Sequence, residues 1–292
     1  MSRPVRIEFP GAVYHVTSRS GNNGRNSQNQ NSTQDSQNVF KDDEDRAVFL
    51  NVLENVVDRF GWLLHSYVLM DDHYHLVVEI PEANLSRGMR QLNGVYTQHV
   101  NRRHGLEGPV FQGRFKGILL EKSSYLLPVC RHVVTNPARL QEGANYASFK
   151  WSSYRSLAGQ VKKPAFLFCD DVLGSFGKRE KEAQRKYRDY VKGGLDSASP
   201  LEQRTNQVLL GTPGFLNEMQ PILQGEKLSK RGPKAARRRR SLSAIFKKVE
   251  EKTRFERNGL IKKAHLDHGY TLMEIGDHLG LHYTTVSKVV NN

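Results

Sequence analysis

The stretch Asp72-His73-Tyr74-His75-Leu76-Val77-Val78-Glu79 alternates polar and apolar side chains, as a half-buried β-strand does. Alternate side chains of a strand share a face, so His73 and His75 point one way and Tyr74 points the other. The two imidazoles are then roughly 6.6 Å apart along the backbone and can converge on one cation. The same spacing also fits two unrelated polar residues on a solvated sheet face.

Further elements can be recognised on both sides of this strand. Their order is strand, helix, strand, strand, helix, strand, helix. This order predicts an α+β fold with a ferredoxin-like antiparallel sheet, helices on one face and the other face available for a site. In the strand before it, Trp62, Leu64 and Val68 are expected on one face. The predicted strands are Gly11–Arg19, Trp62–Leu69, His73–Ile80 and Arg114–Leu120, and the predicted helices are Asp42–Phe60, Leu85–His104 and Ser124–Thr135.

The composition excludes several classes of protein. Among 292 residues, 44 Lys and Arg stand against 30 Asp and Glu, and the net charge of +14 favours a polyanionic partner, usually nucleic acid. Two cysteines are too few for a disulfide-stapled scaffold or a zinc finger built from cysteines alone. No segment approaches the roughly 18 consecutive apolar residues of a membrane span. We therefore expect a cytoplasmic protein with no membrane partner.

The charge and the apolar pattern divide the chain into four regions. Residues 1–160 hold the predicted sheet domain, 161–225 a helical extension, 226–241 a basic linker with eight basic residues, and 242–292 a helical domain. Inside the first region, residues 21–38 are almost entirely Gly, Asn, Ser and Gln. Because they have no apolar residue with which to bury a core, they predict a disordered insertion.

The C-terminal region has the pattern of a helix-turn-helix domain. Predicted helices at 271–279 and 284–290 are joined by a short turn at Gly280. Ala264, Leu272, Ile275, Leu279, Leu281, Val286 and Val289 are expected to face inward. The polar surface residues of the last helix suit a DNA groove, although a generic three-helix bundle would give a similar pattern. The predicted DNA contacts there are Tyr283, Thr284, Thr285, Ser287 and Lys288.

The third predicted helix brings two more polar side chains towards the histidines. His132 and Asn136 are four residues apart and so lie on one helix face. An Asn before a Pro at a helix end is normally only a stop signal. Here the Asn136 side chain could also supply an oxygen to a cation held by His73 and His75.

Several motifs occur together in one order and carry a family resemblance. The chain resembles the REP-associated tyrosine transposases, which are Y1-type HUH single-strand transposases and often carry a C-terminal helix-turn-helix. The resemblance covers roughly residues 1–195 and implies a bacterial, nucleoid-associated protein. The segments that carry it are Arg6–Arg19, Asp42–Arg46, Leu69–Met70, His73–Leu76, Asn84–Tyr96, Phe111–Lys116, Glu121–Tyr125, Asn136–Pro137 and Trp151–Arg155.

The resemblance implies a chemistry and a ligand. It implies binding of single-stranded DNA beside a hairpin, and a divalent cation (Mg²⁺ or Mn²⁺) held by His73, His75 and Asn136. In such a site the cation polarises the scissile phosphate. A tyrosine then attacks it, forming a 5′-phosphotyrosine link. The implied function is metal-dependent cleavage and rejoining of single strands at hairpin-bearing, REP-like elements, with duplex DNA as a further ligand of the helix-turn-helix.

One position departs from the family pattern. The tyrosine nucleophile is expected four residues before the ligand Asn, and His132 occupies that position. Three explanations compete. In the first, the protein is a DNA-binding or regulatory relative without strand transfer. In the second, another tyrosine, Tyr125 or Tyr96, serves as the nucleophile. In the third, His132 itself acts, as a nucleophile or as a third imidazole that favours Zn²⁺ or Mn²⁺. Whether the chain is an enzyme stays open at this point, and structured RNA is a further candidate ligand.

Basic residues around the predicted site could hold phosphates, and nearby Phe111 and Phe115 could stack unpaired bases. Any one of these cations could equally be an ordinary solubilising residue. The predicted DNA contacts of this kind are Arg87, Arg90, Arg102, Arg103, Arg114 and Lys116, together with Arg237, Arg238, Arg239 and Arg240 in the linker.

Overall fold

The structure is a computed structural model. It describes residues 7–21, 38–140, 145–223 and 241–291, without residues 248, 252, 267, 269 and 271. Nearly all of the predicted insertion and of the basic linker, including Arg237–Arg240, lies outside these residues. The chain divides into two compact units, one formed by most of the chain up to residue 223 and one containing the helices from residue 241 onward.

The N-terminal unit has the predicted elements with small shifts at their ends, followed by short helices. Its strands are β1 (Ala12–Arg19), β2 (Leu63–Leu69), β3 (His73–Ile80), β4 (Lys116–Leu120) and β5 (Leu209–Leu210). Its helices are α1 (Asp43–Phe60), α2 (Leu85–His104), α3 (Lys122–Val134), α4 (Asn136–Leu140), α5 (Tyr154–Leu157), α6 (Asp170–Gly174), α7 (Glu180–Lys192) and α8 (Pro213–Leu223). A 3-10 turn, Pro200–Gln203, precedes β5.

The sheet confirms the predicted α+β, ferredoxin-like class. Its strand order is β2-β3-β1-β4-β5, and the first four strands pair antiparallel, as the split βαβ arrangement requires. The short β5 adds a parallel pair at the edge beside β4 and was missed by the sequence prediction. A two-residue strand is too short to give a periodic signal, and its pairing depends on β4.

Helices α1 and α2 cover one face of the sheet through an aromatic core. Phe49 of α1 lies against Tyr74 of β3 with ring centroids 4.7 Å apart, and it meets Tyr96 of α2 at 5.2 Å. The Tyr74 hydroxyl donates to Asn93 of α2 at 2.6 Å. Gly88 allows α2 to approach the sheet closely, because an added Cβ would collide with the Trp62 ring. We call this side of the sheet the aromatic face.

Helix α3 covers the opposite face, which carries His73 and His75 and which we call the histidine face. The sequence prediction left this face open, and the structure closes part of it with α3. A register shift in β2 between Leu64 and Ser66 also changes the predicted alternation. Val68 pairs with His75 and therefore lies on the histidine face, not on the face of Leu64.

Helix ends agree with local chemistry. Asp42 caps α1 by accepting from the Asp45 N–H at 3.0 Å, acidic residues fill the first turn, and Gly61 ends the helix at φ 65°.

Helix α3 continues through Pro128 to Val134. The proline therefore does not end the helix that positions His132.

The C-terminal unit consists of α9 (Leu242–Ile245), α10 (Arg254–Leu266), α11 (Leu272–Leu279) and α12 (Tyr283–Asn291), with a 3-10 turn at Val249–Glu251. All seven positions predicted to face inward belong to its apolar core or pack against it. Gly280, at φ 66°, lies in the turn between α11 and α12. No described helix is both long enough and apolar enough to cross a membrane.

Candidate metal centre

The pairing of β1 with β3 builds the floor of the candidate site. Thr17 lies opposite His75 and Arg19 lies opposite His73, so these four side chains share the histidine face. His73 is buried and His75 is half-buried, with their ring centroids 4.9 Å apart and the planes nearly perpendicular. The structure therefore places the two histidines as the strand alternation predicts.

Asp72 holds the ring of His73. The Asp72 Oδ1 atom lies 2.5 Å from Nδ1 of His73. Strand alternation would point Asp72 away from the histidines, but its carboxylate bends back onto the neighbouring ring. Hydrogen bonding at Nδ1 leaves Nε2 of His73 as the nitrogen available to a ligand.

Helix α3 brings His132 over the same floor. The His132 and His75 rings meet edge to face with centroids 6.3 Å apart. The ring of His132 is buried, and its Nδ1 has a long contact of 3.4 Å with Ser199 Oγ. His132 is therefore part of the histidine cluster.

Asn136 follows on the next turn, where α3 has ended at Val134 and α4 begins. Its side chain is buried, and its Oδ1 atom has no hydrogen-bond partner among the described residues. A buried carbonyl oxygen without a partner costs about 1–3 kcal/mol. The Asn136 oxygen is therefore a buried acceptor that is open in the described structure.

A fourth histidine, His15 of β1, completes the cluster. It is buried, and its Nε2 atom lies 2.7 Å from Nδ1 of His75. The sequence reading missed it. The alternation in Tyr14-His15-Val16-Thr17 indicates that His15 and Thr17 share a strand face. It does not show which strand pairs with β1, and so it does not show that His15 lies beside His75.

The environment keeps the imidazoles of His15, His75 and His132 neutral. Burial, with the charge of His132 as a smaller cause, lowers the pKa of His15 to about 3. Burial, with Arg139 as the smaller cause, lowers the pKa of His132 to about 4. The pKa of His75 is well below its usual value, first because of burial and then because of His15. Neutral imidazole is the form that binds metal ions.

The described part of the chain contains two other clusters in which three possible metal-ligand atoms lie within 4.8 Å of one another. Neither cluster contains His73 or His75. In both, a basic side chain of the protein contacts the carboxylates. Arg103 contacts both Asp42 and Asp45, and Lys122 bridges Glu79 and Asp171 at 2.5 and 2.7 Å. Both clusters therefore act as ion-pair networks that tie elements together. Their members are Asp42, Asp45 and His104, and His65, Glu79 and Asp171.

The two alternative tyrosines have other surroundings. The Tyr125 hydroxyl donates to Gln203 at 2.9 Å, about two turns of α3 before His132. Tyr96 is buried on the aromatic face, where its hydroxyl donates to the Val39 carbonyl at 2.7 Å. Tyr96 is thus separated from the histidines by the sheet.

The basic residues predicted to bind DNA fall into two groups. Arg87, Arg90, Arg102 and Arg103 belong to α2, on the aromatic face, and Arg103 is already held by three carboxylates. These four therefore do not flank the histidines as expected. Lys116 pairs with Thr17 and so belongs to the histidine face, and Arg114 is exposed two residues earlier. Arg19, which the sequence prediction omitted, is exposed on that face as well.

In the C-terminal unit, the predicted contacts occupy α12. Thr284, Thr285 and Lys288 are exposed and Ser287 is half-buried, whereas the side chain of Tyr283 lies outside the described residues. His282 precedes the helix and its Nδ1 atom is 2.8 Å from the Thr284 hydroxyl.

Comparison with known families bears on the N-terminal unit. Residues 31–123 match the family described as Transposase IS200 like. The resemblance to transposases is therefore confirmed for this stretch. It contains His73 and His75 and ends before His132 and Asn136. The match supports a transposase-like, DNA-binding role for this part of the chain, which we call the transposase-like domain.

A solved structure of a REP-associated tyrosine transposase bound to a REP hairpin is also similar. It is 17% identical, with a TM-score of 0.41, and the alignment covers 61% of this chain and 98% of that chain. The search of curated proteins gives no match.

Proposed function

We propose that this chain binds single-stranded DNA beside a hairpin and holds a divalent cation with His73, His75 and Asn136, and that it forms no phosphotyrosine. The observation that carries the proposal is the pair His75 and His132, whose rings are 6.3 Å apart at the family's nucleophile position. In this proposal the cation is held beside that pair, and the phenol hydroxyl needed for strand transfer is missing at position 132.

The residues fit a divalent cation on three counts. The Oδ1 atom of Asn136 is buried without a partner in the described structure. The ring of His75 is held neutral by burial. His73 is oriented by a carboxylate on its Nδ1 atom, which is the usual support for a metal-binding histidine. Two imidazoles and one amide oxygen suit Mn²⁺ or Mg²⁺, and a further imidazole from His132 would favour Zn²⁺.

The chain's own groups supply the contacts to DNA. A divalent cation bound here would neutralise charge on a phosphate oxygen. Arg19 and Lys116, exposed on the same face, can hold the neighbouring phosphates of a single strand. His132 is buried and neutral, so it can position a phosphate or accept a proton, but it offers no hydroxyl. In the C-terminal unit, α12 would bind duplex DNA as the recognition helix of a helix-turn-helix.

A covalent trapping assay tests the proposal. The native protein is incubated with Mn²⁺ and a labelled hairpin oligonucleotide with a single-stranded flank, and then run on a denaturing gel with and without an acid wash. We expect DNA binding in a native gel and no acid-stable adduct in the denaturing gel. An acid-stable adduct would contradict the proposal and would point to Tyr125 as the nucleophile.

The adjacency of His132 and His75 also favours a second candidate function, in which a ring nitrogen of His132 attacks the scissile phosphorus. The bond from phosphorus to the 3′ oxygen then breaks, and that oxygen leaves as a free 3′-hydroxyl after taking up a proton. A phosphohistidine is acid-labile, so an adduct that is present before the acid wash and absent after it would establish this function. His132→Phe must then abolish the adduct, and Tyr125→Phe must leave it intact.

His132→Tyr should restore the family chemistry. The helix continues through Pro128, so a tyrosine at 132 should place its hydroxyl near the proposed cation. We expect an acid-stable adduct in this variant and none in His132→Phe, which has the same ring without the hydroxyl. A tyrosine variant that folds, binds DNA and Mn²⁺, and never cleaves would show that the missing hydroxyl is not what prevents cleavage.

A further inference from the structure

The contact between His15 and His75 has an unusual geometry. The two ring planes differ by only 17° and the centroids are 5.0 Å apart, while Nε2 of His15 and Nδ1 of His75 are 2.7 Å apart. Two nearly parallel rings cannot come this close atom to atom if one is stacked above the other. They therefore meet edge to edge, in nearly one plane, through a single N–H···N hydrogen bond.

This hydrogen bond is the one that His15 makes in the described structure. The ring is fully buried, and its other nitrogen, Nδ1, has no partner. A buried ring nitrogen without a partner is uncommon, so the hydrogen bond to His75 is the polar contact that fixes the ring of His15. The burial of His15 therefore points to its contact with His75 as the role of the ring.

Two arrangements of the shared proton exist, because a neutral imidazole carries hydrogen on one nitrogen. If His75 donates from Nδ1, its Nε2 atom has a free lone pair. If His15 donates from Nε2, then Nε2 of His75 carries the hydrogen and cannot bind a cation. Metal-binding histidines almost always donate their other ring N–H to a fixed partner, which matches the first arrangement.

We propose that His15 is a positioning residue: it accepts the Nδ1–H of His75, fixes that tautomer and ring plane, and so presents Nε2 of His75 to a divalent cation. This inference rests on the proposed function, since it names the group that prepares one of the proposed ligands. With Asp72 on Nδ1 of His73, both strand histidines then have a dedicated partner on the nitrogen that faces away from the cation.

The first test reads the tautomer of His75 in cation-free protein by nitrogen-15 NMR of the histidine rings, with signals assigned by comparison with His75→Gln. In the native protein we expect Nδ1 protonated and Nε2 bare. In His15→Leu the acceptor is removed and the Nε2–H form should appear. In His15→Gln, the side-chain carbonyl can accept the same hydrogen bond and should restore the native pattern.

The second test is calorimetry with Mn²⁺. Loss of such a supporting partner typically weakens metal binding by about 10–100-fold, which we expect for His15→Leu with substantial recovery in His15→Gln. The matched control is His65→Gln, which alters a buried histidine that contacts Glu79 and should leave Mn²⁺ affinity unchanged. A purely structural role would predict lower stability in His15→Leu, measured by denaturant unfolding, with no change of tautomer.

The outcomes separate the two proposals. The role of His15 is overturned if His75 of the native protein has the Nε2–H tautomer. It is also overturned if His15→Leu keeps the native tautomer and the native Mn²⁺ affinity. Neither result contradicts the proposed function. Native protein that has the expected tautomer and binds no Mn²⁺ overturns the proposed metal site, while the tautomer result still supports His15 as the partner that orients His75.

Discussion

Tyr74 and His75 are neighbours in β3, but they belong to two faces of the sheet that are built differently. On the aromatic face, Tyr74 is fully buried and its hydroxyl has two partners, Ser18 and Asn93. On the histidine face, His15 Nδ1 and Asn136 Oδ1 are buried without partners among the described residues. The hydroxyl of Tyr74 is satisfied, whereas these two atoms beside the histidines are open. On the helices of the aromatic face, Arg46 Nε and His99 Nε2 are also buried without partners among the described residues.

This difference suggests that the two faces of the sheet have different roles. Satisfied polar groups in a close-packed aromatic core stabilise a fold, since every donor and acceptor regains what it loses from water. Unpartnered buried groups cost stability and persist where a ligand completes them. The aromatic face should therefore control the free energy of unfolding, and the histidine face should control binding. The following predictions test that separation.

Phe49→Ala should have the largest effect on stability. Its ring is fully buried and contacts Phe40, Tyr74 and Tyr96. We expect the free energy of unfolding to fall by about 3–5 kcal/mol, measured with urea. His75→Ala should cost much less, because it deletes a half-buried ring from an incompletely satisfied site. Equal losses in the two variants would end the distinction between the faces.

His73→Ala combined with His75→Ala should abolish binding of a divalent cation. We expect at least about 100-fold weaker Mn²⁺ binding in calorimetry, equivalent to about 2.7 kcal/mol. The control is Asp42→Asn with Asp45→Asn, which disrupts the ion-pair cluster with His104 on the other side of the sheet. If that control loses Mn²⁺ binding and the histidine variant keeps it, the cation binds at the cluster of Asp42 and Asp45 and the proposed site is wrong.

The sequence could predict whatever depends on local periodicity. The two strand histidines, the aromatic pattern of β3 and the helices α1 to α3 follow from side-chain alternation and helical spacing, and the structure has them close to the expected residues. His132 was recognised because it occupies the position where the resemblance implies a tyrosine.

The sequence could not predict what depends on pairing between distant segments. His15 reaches His75 only through the register of β1 on β3. Val68 changed faces because of the irregularity in β2 between Leu64 and Ser66. The α2 arginines were assigned to the histidines by nearness in the sequence, whereas the sheet lies between them. Each of these facts requires knowledge of the partner strand or the helix layer.

Acid should destabilise the histidine face selectively. In cation-free protein, His15 and His132 stay neutral down to pKa values of about 3 and 4, whereas in the unfolded chain they take up protons near pH 6.5. The unfolded state therefore binds more protons below pH 6.5, and stability falls as the pH drops, by up to about 1.4 kcal/mol per pH unit for each histidine. Unfolding in urea at pH 7.5 and pH 5 measures this loss. His15→Leu should remove one histidine's share of it, and an unchanged pH dependence in this variant would contradict the buried, neutral state of His15.

The smallest effect should come from the exposed cations of the histidine face. Each phosphate contact contributes about 0.7 to the slope of log affinity against log salt concentration for a single strand. Arg19→Gln and Lys116→Gln should each make that slope shallower by about this amount. Their surface position means that stability should change by less than about 0.5 kcal/mol. Arg59→Gln on α1 is the matched control, and its slope should equal that of the native protein. The decisive comparison is Arg90→Gln on α2. If Arg90 flattens the slope and Arg19 does not, the strand runs over the helix layer, and the aromatic face has a binding role in addition to its structural one.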